Sequence, residues 1–195
     1  MTSRAEILAA IRRNQPAPVA LPSVPTFERA GDPPLDAFKA ALLRMGGRLA
    51  EAPADGDLEG LVRRLFPDAK VVCSAAPEVR GNRALQGVRR PAALADVDLG
   101  VVRAAFGVAE TGSVWLSERE FKVSSLGFLA QHLLVFLDPA RIVPNMHHAY
   151  RDRARFDAGY GAFLTGPSAT ADIEGVLIHG AQGIRTLTVV PLPAR

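Results

Sequence analysis

The chain has 195 residues, of which 48% are hydrophobic and 22% are charged, and its formal net charge is +3. This length can bury one good-sized core, and the composition excludes both an intrinsically disordered chain and a membrane-spanning one. The basic residues are almost all arginines, without the basic stripe and interleaved aromatic residues of a nucleic-acid-binding protein, so neither a nucleic-acid partner nor a membrane partner is expected.

Residues 1–33 predict an N-terminal helix followed by a proline-rich tether. Ser3 and Glu6 have the spacing of a capping box, and the apolar residues after them recur on one helical face. Prolines at positions 16, 18, 22 and 25 then interrupt a segment without periodicity. We therefore expect a single domain, residues 34–195, with an N-terminal helical appendage.

The first half of this domain predicts alternating helices and strands. One helix should begin at Pro34 and stop at Gly46, and a second should begin after Asp57. Short strands are predicted at 48–51 and 70–74, on either side of the second helix. A strand, a helix and a strand in this order imply a right-handed parallel crossover, so the predicted fold class is α/β, with a mostly parallel central sheet flanked by helices.

The second half of the domain predicts a hairpin inside this otherwise parallel protein. Apolar strands at 105–109 and 114–117 are joined by the turn Glu110-Thr111-Gly112-Ser113. The other predicted elements are strands at 99–102, 132–137, 162–165 and 186–192, a helix at 145–156, and a helix at 171–179 that ends at Gly180.

The loop between the strand at 162–165 and the helix at 171–179 is the strongest candidate for a ligand-binding site. Glycine lets the backbone approach a ligand closely, and hydroxyls with free helix amides can hold an anion at this edge of an α/β sheet. Alternatively, Ser168 or Thr170 only caps the helix, and the two carboxylates complement its dipole. Beside the amides, these carboxylates would also weaken a phosphate site unless they face away or bind a cation. The candidate ligand-binding residues are Gly166, Ser168, Thr170, Asp172 and Glu174.

The hairpin turn is the second candidate. Glu110 lies on a tight turn between apolar strands, where its carboxylate could act as nucleophile or general base if burial raised its pKa. Glu110 is therefore the candidate catalytic residue. Its neighbours Thr111, Gly112 and Ser113 are further candidate ligand-binding residues. The alternative is a solvent-exposed hairpin tip that uses glycine only for its turn geometry.

The remaining residues predict neither a metal site nor a cofactor. His147 and His148 are adjacent and point to different faces of a helix, and no Gly-x-Gly-x-x-Gly or Walker loop is present. Cys73, the single cysteine, is predicted in a buried strand, and one cysteine cannot supply the usual ligands of an iron–sulfur cluster. Arginines at 80, 83, 89 and 90 predict a solvated basic loop, with contact to a phosphate or an acidic partner as the alternative. The N-terminus has no signal-type apolar block, so we expect a cytoplasmic protein.

Two motifs together resemble those of the LUD (lactate utilisation) domain family. They are Ala-Glu-Thr-Gly-Ser at 109–113 and Gly-Pro-Ser-Ala-Thr-Ala-Asp-Ile-Glu at 166–174, which Gly-Ala-Gln-Gly follows at 180–183. The resemblance covers roughly residues 68–191 and is greatest to the lactate utilisation protein C branch. It implies a fold related to sugar-phosphate isomerases and CoA transferases (NagB/RpiA/CoA-transferase-like), with helices on both sides of the sheet.

The resemblance also implies a role beside two iron–sulfur partner proteins in the oxidation of L-lactate to pyruvate, with no cluster in this chain. It carries over no established catalytic residue, although Glu110 distantly resembles the nucleophilic glutamate of CoA transferases. Two alternatives stay open at this point. The chain could be a stand-alone isomerase or acyl/CoA-transfer enzyme that binds a small phosphorylated or carboxylated molecule, or it could be a structural adaptor.

Overall fold

A five-stranded parallel sheet lies at the centre of the computed structural model, which describes residues 3–27, 34–172 and 174–194. Its strands are apolar on both sides, as in parallel sheets that are covered on both faces. Leu134 and Phe136 face one side, and Leu133 and Val135 face the other. In spatial order the strands are β1 (Arg48–Leu49), β11 (Thr186–Pro191), β6 (His132–Leu137), β3 (Leu99–Arg103) and β2 (Val72–Ser74).

One face of this sheet is covered by α3 (Leu58–Leu65). Asp57 begins the helix as expected, because its side chain accepts a hydrogen bond of 2.7 Å from the Gly60 N–H. Leu61 and Val62 pack in the same buried cluster as Phe136 of β6. The helix follows β1 and precedes β2, so it connects the two edge strands of the sheet.

The opposite face is covered by α2 (Pro34–Arg44) and by a second, four-stranded sheet. Phe38 and Leu42 of α2 are fully buried in one cluster with Val114 and Leu116 of this sheet. The predicted α/β class with a mostly parallel central sheet is therefore confirmed, and the predicted hairpin is present but belongs to a separate sheet. In spatial order the strands of the second sheet are β7 (Ile142–Val143), β4 (Phe106–Val108), β5 (Ser113–Ser117) and β8 (Gly161–Leu164).

The other helices are short or peripheral. The predicted N-terminal helix is present as α1 (Ser3–Arg13), none of whose residues is buried. The predicted helix at 145–156 is split, because the Asp152 side chain accepts a hydrogen bond from the Ala154 N–H and starts a 3₁₀ turn. No helix in the described parts of the chain is long and apolar enough to cross a membrane. The remaining helical elements are α4 (Glu118–Phe121), α5 (Leu126–Leu129), α6 (Met146–Arg151), and 3₁₀ turns at Pro91–Leu94, Pro139–Arg141 and Arg153–Phe156.

The prediction of a helix at 171–179 is wrong. Instead, the end of this segment forms the short strand β10 (Ile178–His179), which pairs antiparallel with β9 (Ala169–Thr170) just before the segment. Glu174 and Gly175 have positive φ angles of 53° and 71°, which a helix does not tolerate. Glycine in mid-segment and β-branched neighbours oppose a helix, and here they prevail over the apolar spacing. Position 173 lies outside the described residues.

His132 is the first residue of β6. Its surroundings lead us to expect that the stability of the protein depends on pH. Its Nδ1 lies 2.8 Å from the Thr186 Oγ1. Burial lowers the pKa of this imidazole, the positive charges of Arg185 and Arg48 lower it further, and Asp98 opposes the shift. The unfolded chain therefore binds the proton more tightly than the folded chain does. The resulting stabilisation is complete above the unfolded pKa of about 6.5 and is lost as the pH falls below it.

We expect the free energy of unfolding to fall between about pH 7.5 and pH 5.5, and to fall less in His132→Gln. Denaturant unfolding at the two pH values measures both slopes. His147→Gln is the matched control, because it removes an exposed histidine and leaves His132 in place. Equal slopes in the wild type and in His132→Gln would contradict the assignment.

Candidate functional site

The turn at 109–112 between β4 and β5 is packed against the backbone of α2. Gly112 has a φ of +67°, and a Cβ atom at this position would lie 2.2 Å from the backbone nitrogen of Leu42. No other residue type fits that space unless α2 shifts. The glycine of the first motif therefore has a packing role as well as the turn geometry predicted for it.

The carboxylate of Glu110 is exposed and points towards the start of α6. Its Oε2 accepts a hydrogen bond of 3.2 Å from the Met146 N–H, the first amide of that helix. Burial was the condition for an activated base, and an exposed carboxylate beside a helix N-terminus does not meet it. The catalytic role of Glu110 stays a prediction, and the structure adds a helix-capping role beside it.

The hydroxyl groups of the first motif meet the residue that directly precedes the second motif. Thr111 Oγ1 lies 2.7 Å from Ser113 Oγ, and Ser113 Oγ is hydrogen-bonded to Thr165 Oγ1. Thr165 directly precedes Gly166, and the pairing of β5 with β8 brings it beside Ser113. The first motif loop thus contacts the end of the strand that leads into the second, and these hydroxyls bond to one another. Whether these residues also bind a ligand stays a prediction.

The second motif loop is packed against the end of α2. A Cβ atom on Gly166, whose φ is +64°, would lie 2.2 Å from the Met45 carbonyl oxygen. The backbone N–H of Ser168 donates to the Ile184 carbonyl over 2.9 Å, and the Thr170 Oγ1 accepts from the Asp172 N–H over 3.3 Å. Ser168 therefore caps no helix, and the described residues of this loop do not provide the helix amides expected to hold an anion.

The carboxylates of the two motifs lie apart. Glu110 contacts α6, whereas Asp172 and Glu174 are exposed around the β9–β10 turn. Among the residues that the structure describes, no three histidine, cysteine or acidic side chains form a group that could hold a metal ion. The first motif loop thus meets the strand before the second through the hydroxyls of Ser113 and Thr165. The carboxylates of Glu110, Asp172 and Glu174 do not come together in the described structure.

Cys73 lies in β2, as predicted, and is fully buried. Burial raises the pKa of its thiol, an effect that the positive charge of Arg83 partly offsets. The side chain is therefore held as a neutral thiol inside the core, where it packs as a small apolar group.

A cleft beside β2 is lined by Arg80 and Arg83, two of the four arginines that the sequence analysis assigned to a solvated loop. It has a volume of about 870 Å³. In the sequence, only the group of arginines pointed to this cleft, because its lining residues come from two segments, 74–88 and 122–123, that are distant along the chain. The cleft is lined by Ser74, Ala75, Val79, Arg80, Gly81, Asn82, Arg83, Ala84, Leu85, Gln86, Gly87, Val88, Lys122 and Val123.

A smaller groove of about 400 Å³ lies between the tether and α6. Phe27 of the tether contacts the His147 ring at a centroid distance of 4.7 Å, and the Asn145 side chain donates to the Thr26 carbonyl over 2.8 Å. These contacts hold the end of the tether against α6, so this groove is part of how the tether attaches.

Comparison with known proteins identifies a shared domain. Residues 83–191, more than half of the chain, match the LUD domain. Over 89 residues the chain is 33% identical to lactate utilization protein C of Bacillus pumilus, which corresponds to 43% of this chain and 37% of that protein. Over 100 residues it is 26% identical to the uncharacterized protein NMB1437 of Neisseria meningitidis serogroup B, which corresponds to 50% of this chain and 43% of that protein. The matches thus span less than half of each relative's length.

A solved structure has a similar fold. The crystal structure of a DUF162 family protein from Deinococcus radiodurans aligns with 81% of this chain and 95% of its own, with a TM-score of 0.62 and 18% identity. At this identity the likeness concerns the α/β fold alone.

Proposed function

Because the chain belongs to the LUD domain family, we propose that it is a component of an L-lactate utilisation system, related to lactate utilisation protein C. The observation that carries this proposal is the 33% identity to a protein of that name, together with the family match. The matched residues 83–191 include β3 to β11 and therefore both motif loops. The part of the chain that resembles the family is thus the part that contains the candidate site.

Within such a system, the chain is a non-redox subunit that works beside iron–sulfur partner proteins. Oxidation of L-lactate to pyruvate releases electrons that an acceptor must take up. An iron–sulfur cluster is usually held by four cysteine thiolates, whereas this sequence has one cysteine, which is buried as a neutral thiol. Clusters that accept these electrons would accordingly be carried by the partners.

Deletion of the gene tests the proposal. The deletion strain should fail to grow on L-lactate as sole carbon source and should grow normally on pyruvate, the product of the proposed oxidation. An affinity-tagged copy should restore growth and should co-purify with proteins that contain iron and acid-labile sulfide. Normal growth of the deletion strain on L-lactate would contradict the proposal, as would purification of the functional tagged protein without such partners.

A substitution at Glu110 separates its catalytic role from its capping role. We expect Glu110→Gln to keep its stability within about 0.5 kcal/mol, because glutamine retains an acceptor oxygen for the Met146 N–H. Glu110→Ala should lose about 0.5–1 kcal/mol, since that acceptor is removed. Denaturant unfolding measures both values.

The same two variants, expressed in the deletion strain, test whether the Glu110 carboxylate is catalytic, with growth on L-lactate as the measurement. Failure of a normally folded Glu110→Gln protein to restore growth on L-lactate would support a catalytic carboxylate. Full growth with the glutamine variant would remove Glu110 from the mechanism and leave only the capping role.

A further inference from the structure

The cleft beside β2, called the basic cleft from here on, is lined by cations and by no acid. Arg80, Arg83 and Lys122 all contribute to its wall, and the lining residues include neither aspartate nor glutamate. The whole chain has 20 acidic and 23 basic side chains, so this local imbalance is far from the average. A cleft with charge of one sign concentrates ligands of the opposite sign.

The three cations differ in their partners. Arg83 is engaged, because its guanidinium pairs with Asp96 and donates to the Ala93 carbonyl over 2.6 Å. Arg80 and Lys122 form no ion pair within the described part of the chain, and both are exposed. Two cations are therefore available to an incoming anion, beside a third that is fixed in place.

The segment that carries Arg80 and Arg83 is rigidly held on the edge of β2. The Asn82 side chain accepts from the Val72 N–H over 2.9 Å and donates to the Lys70 carbonyl over 2.6 Å. The backbone N–H groups of Asn82 and Arg83 donate to the Val72 carbonyl over 2.9 and 3.2 Å. The wall of the basic cleft is thus preorganised, which lowers the entropy that binding would cost.

Lys122 also lines the basic cleft, in a strained backbone conformation. Its φ and ψ are 61° and −40°, at the end of α4. This is a region that residues other than glycine rarely adopt, and such strain clusters at ligand-binding positions. Glycine would adopt this backbone conformation without strain. The lysine at position 122 instead adds an ammonium group to the lining of the cleft.

Size and polarity narrow the class of ligand. Small-molecule sites commonly have volumes of about 300–1,000 Å³, and the basic cleft lies in the upper part of this range. A three-carbon acid would fill little of it. Arginine guanidinium groups match phosphate oxygens geometrically, whereas lysine contributes a mobile point charge. Apolar side chains complete the wall: Ala75, Val79, Leu85, Val88 and Val123.

We propose that the basic cleft binds a phosphorylated organic molecule, whose phosphate lies between Arg80 and Lys122 and whose apolar part packs on Val88 and Val123. This site is separate from the two motif loops and does not rest on the lactate role. It assigns a function to the arginine-rich loop of the sequence.

Binding of phenyl phosphate to the full chain, measured by isothermal titration calorimetry, tests the proposal. Phenyl phosphate should bind more tightly than inorganic phosphate, because it adds an apolar group, and more tightly than benzoate, which lacks the phosphate. Arg80→Gln and Lys122→Gly should each weaken binding roughly tenfold, which is the effect of losing one charge-assisted hydrogen bond. Lys122→Gly also relieves the strain, so its thermal stability should not fall and the loss of affinity cannot be attributed to unfolding.

Arg89→Gln is the matched control, because Arg89 is an exposed arginine of the same loop that does not line the cleft. Its affinity for phenyl phosphate should stay within about twofold of the wild type. Absence of phenyl phosphate binding would overturn the proposal. Equal weakening by all three substitutions would also overturn it, since that result describes general attraction to a basic surface. If benzoate bound as tightly as phenyl phosphate, the cleft would not recognise the phosphate group, and the proposal would be overturned.

Discussion

Replacing Gly112 with alanine is expected to lower the free energy of unfolding by about 4 kcal/mol or more. Two costs combine at this position. The positive φ of 67° strains any residue that has a Cβ atom, and that atom would lie 2.2 Å from the Leu42 nitrogen, which belongs to a helix backbone and cannot rotate away. Natural domains have total stabilities of about 5–15 kcal/mol, so a loss of this size removes a large fraction of the stability and leaves a domain at the low end of this range only marginally folded.

Gly56→Ala provides the control for the Gly112 prediction. Gly56 has a similar φ of +74°, but nothing lies within 4 Å of a Cβ atom built on it. Its alanine variant should therefore lose only the conformational term, about 1–2 kcal/mol. Thermal and denaturant unfolding of both variants measure the difference. Equal losses would show that the turn is not pressed against α2.

Glu78→Ala is expected to cost about 2–3 kcal/mol. The Glu78 Oε1 lies 2.5 Å from both the Arg103 Nε and Nη2 atoms, and the two side chains are only 19% and 21% exposed. Removing the carboxylate leaves the guanidinium with the Leu192 carbonyl, 3.0 Å away, as its hydrogen-bond acceptor. We expect a smaller loss of stability than the roughly 3–5 kcal/mol for breaking a fully buried ion pair, because some solvent reaches the Glu78–Arg103 pair.

Two comparisons separate the ion pair from general effects. Asp157→Ala removes the exposed Arg119–Asp157 pair, whose side chains are 62% and 83% exposed, and should change the stability by less than about 1 kcal/mol. The double variant Glu78→Met with Arg103→Met should regain most of the loss, since no buried charge is left unpaired. A double variant as unstable as Glu78→Ala would show that packing, and not charge, dominates at this site.

The elements that the sequence predicted correctly have local signals. Asp57 caps α3, and β6 ends at Leu137, after which the Asp138 side chain accepts from the Ala140 N–H. The hairpin around Gly112 forms where a glycine turn separates two apolar runs. In each case residues within a few positions of one another supply the interactions, so a pattern along the chain is enough.

The elements that were wrong or missed depend on distant partners. The segment 171–179 has apolar residues on both sides of Gly175, a pattern that fits a helix or a hairpin. Hydrogen bonds from Ser168 to Ile184 and from Gly180 to Ser168 accompany the hairpin. The arginine-rich loop was missed as a cleft wall for the same reason, since no periodic signal shows that Asn82 bonds to β2 or that Lys122 lines the same cleft.

The position of β1 has a consequence for how the chain folds. β1 pairs only with β11 among the described strands, so Arg48 must find Thr188, near the other end of the sequence. During synthesis β1 therefore remains without a strand partner until β11 has left the ribosome. Such high contact order slows folding and prolongs the exposure of an unpaired strand edge. Truncations in the last strand should consequently increase aggregation of nascent chains more than their lost contact area suggests.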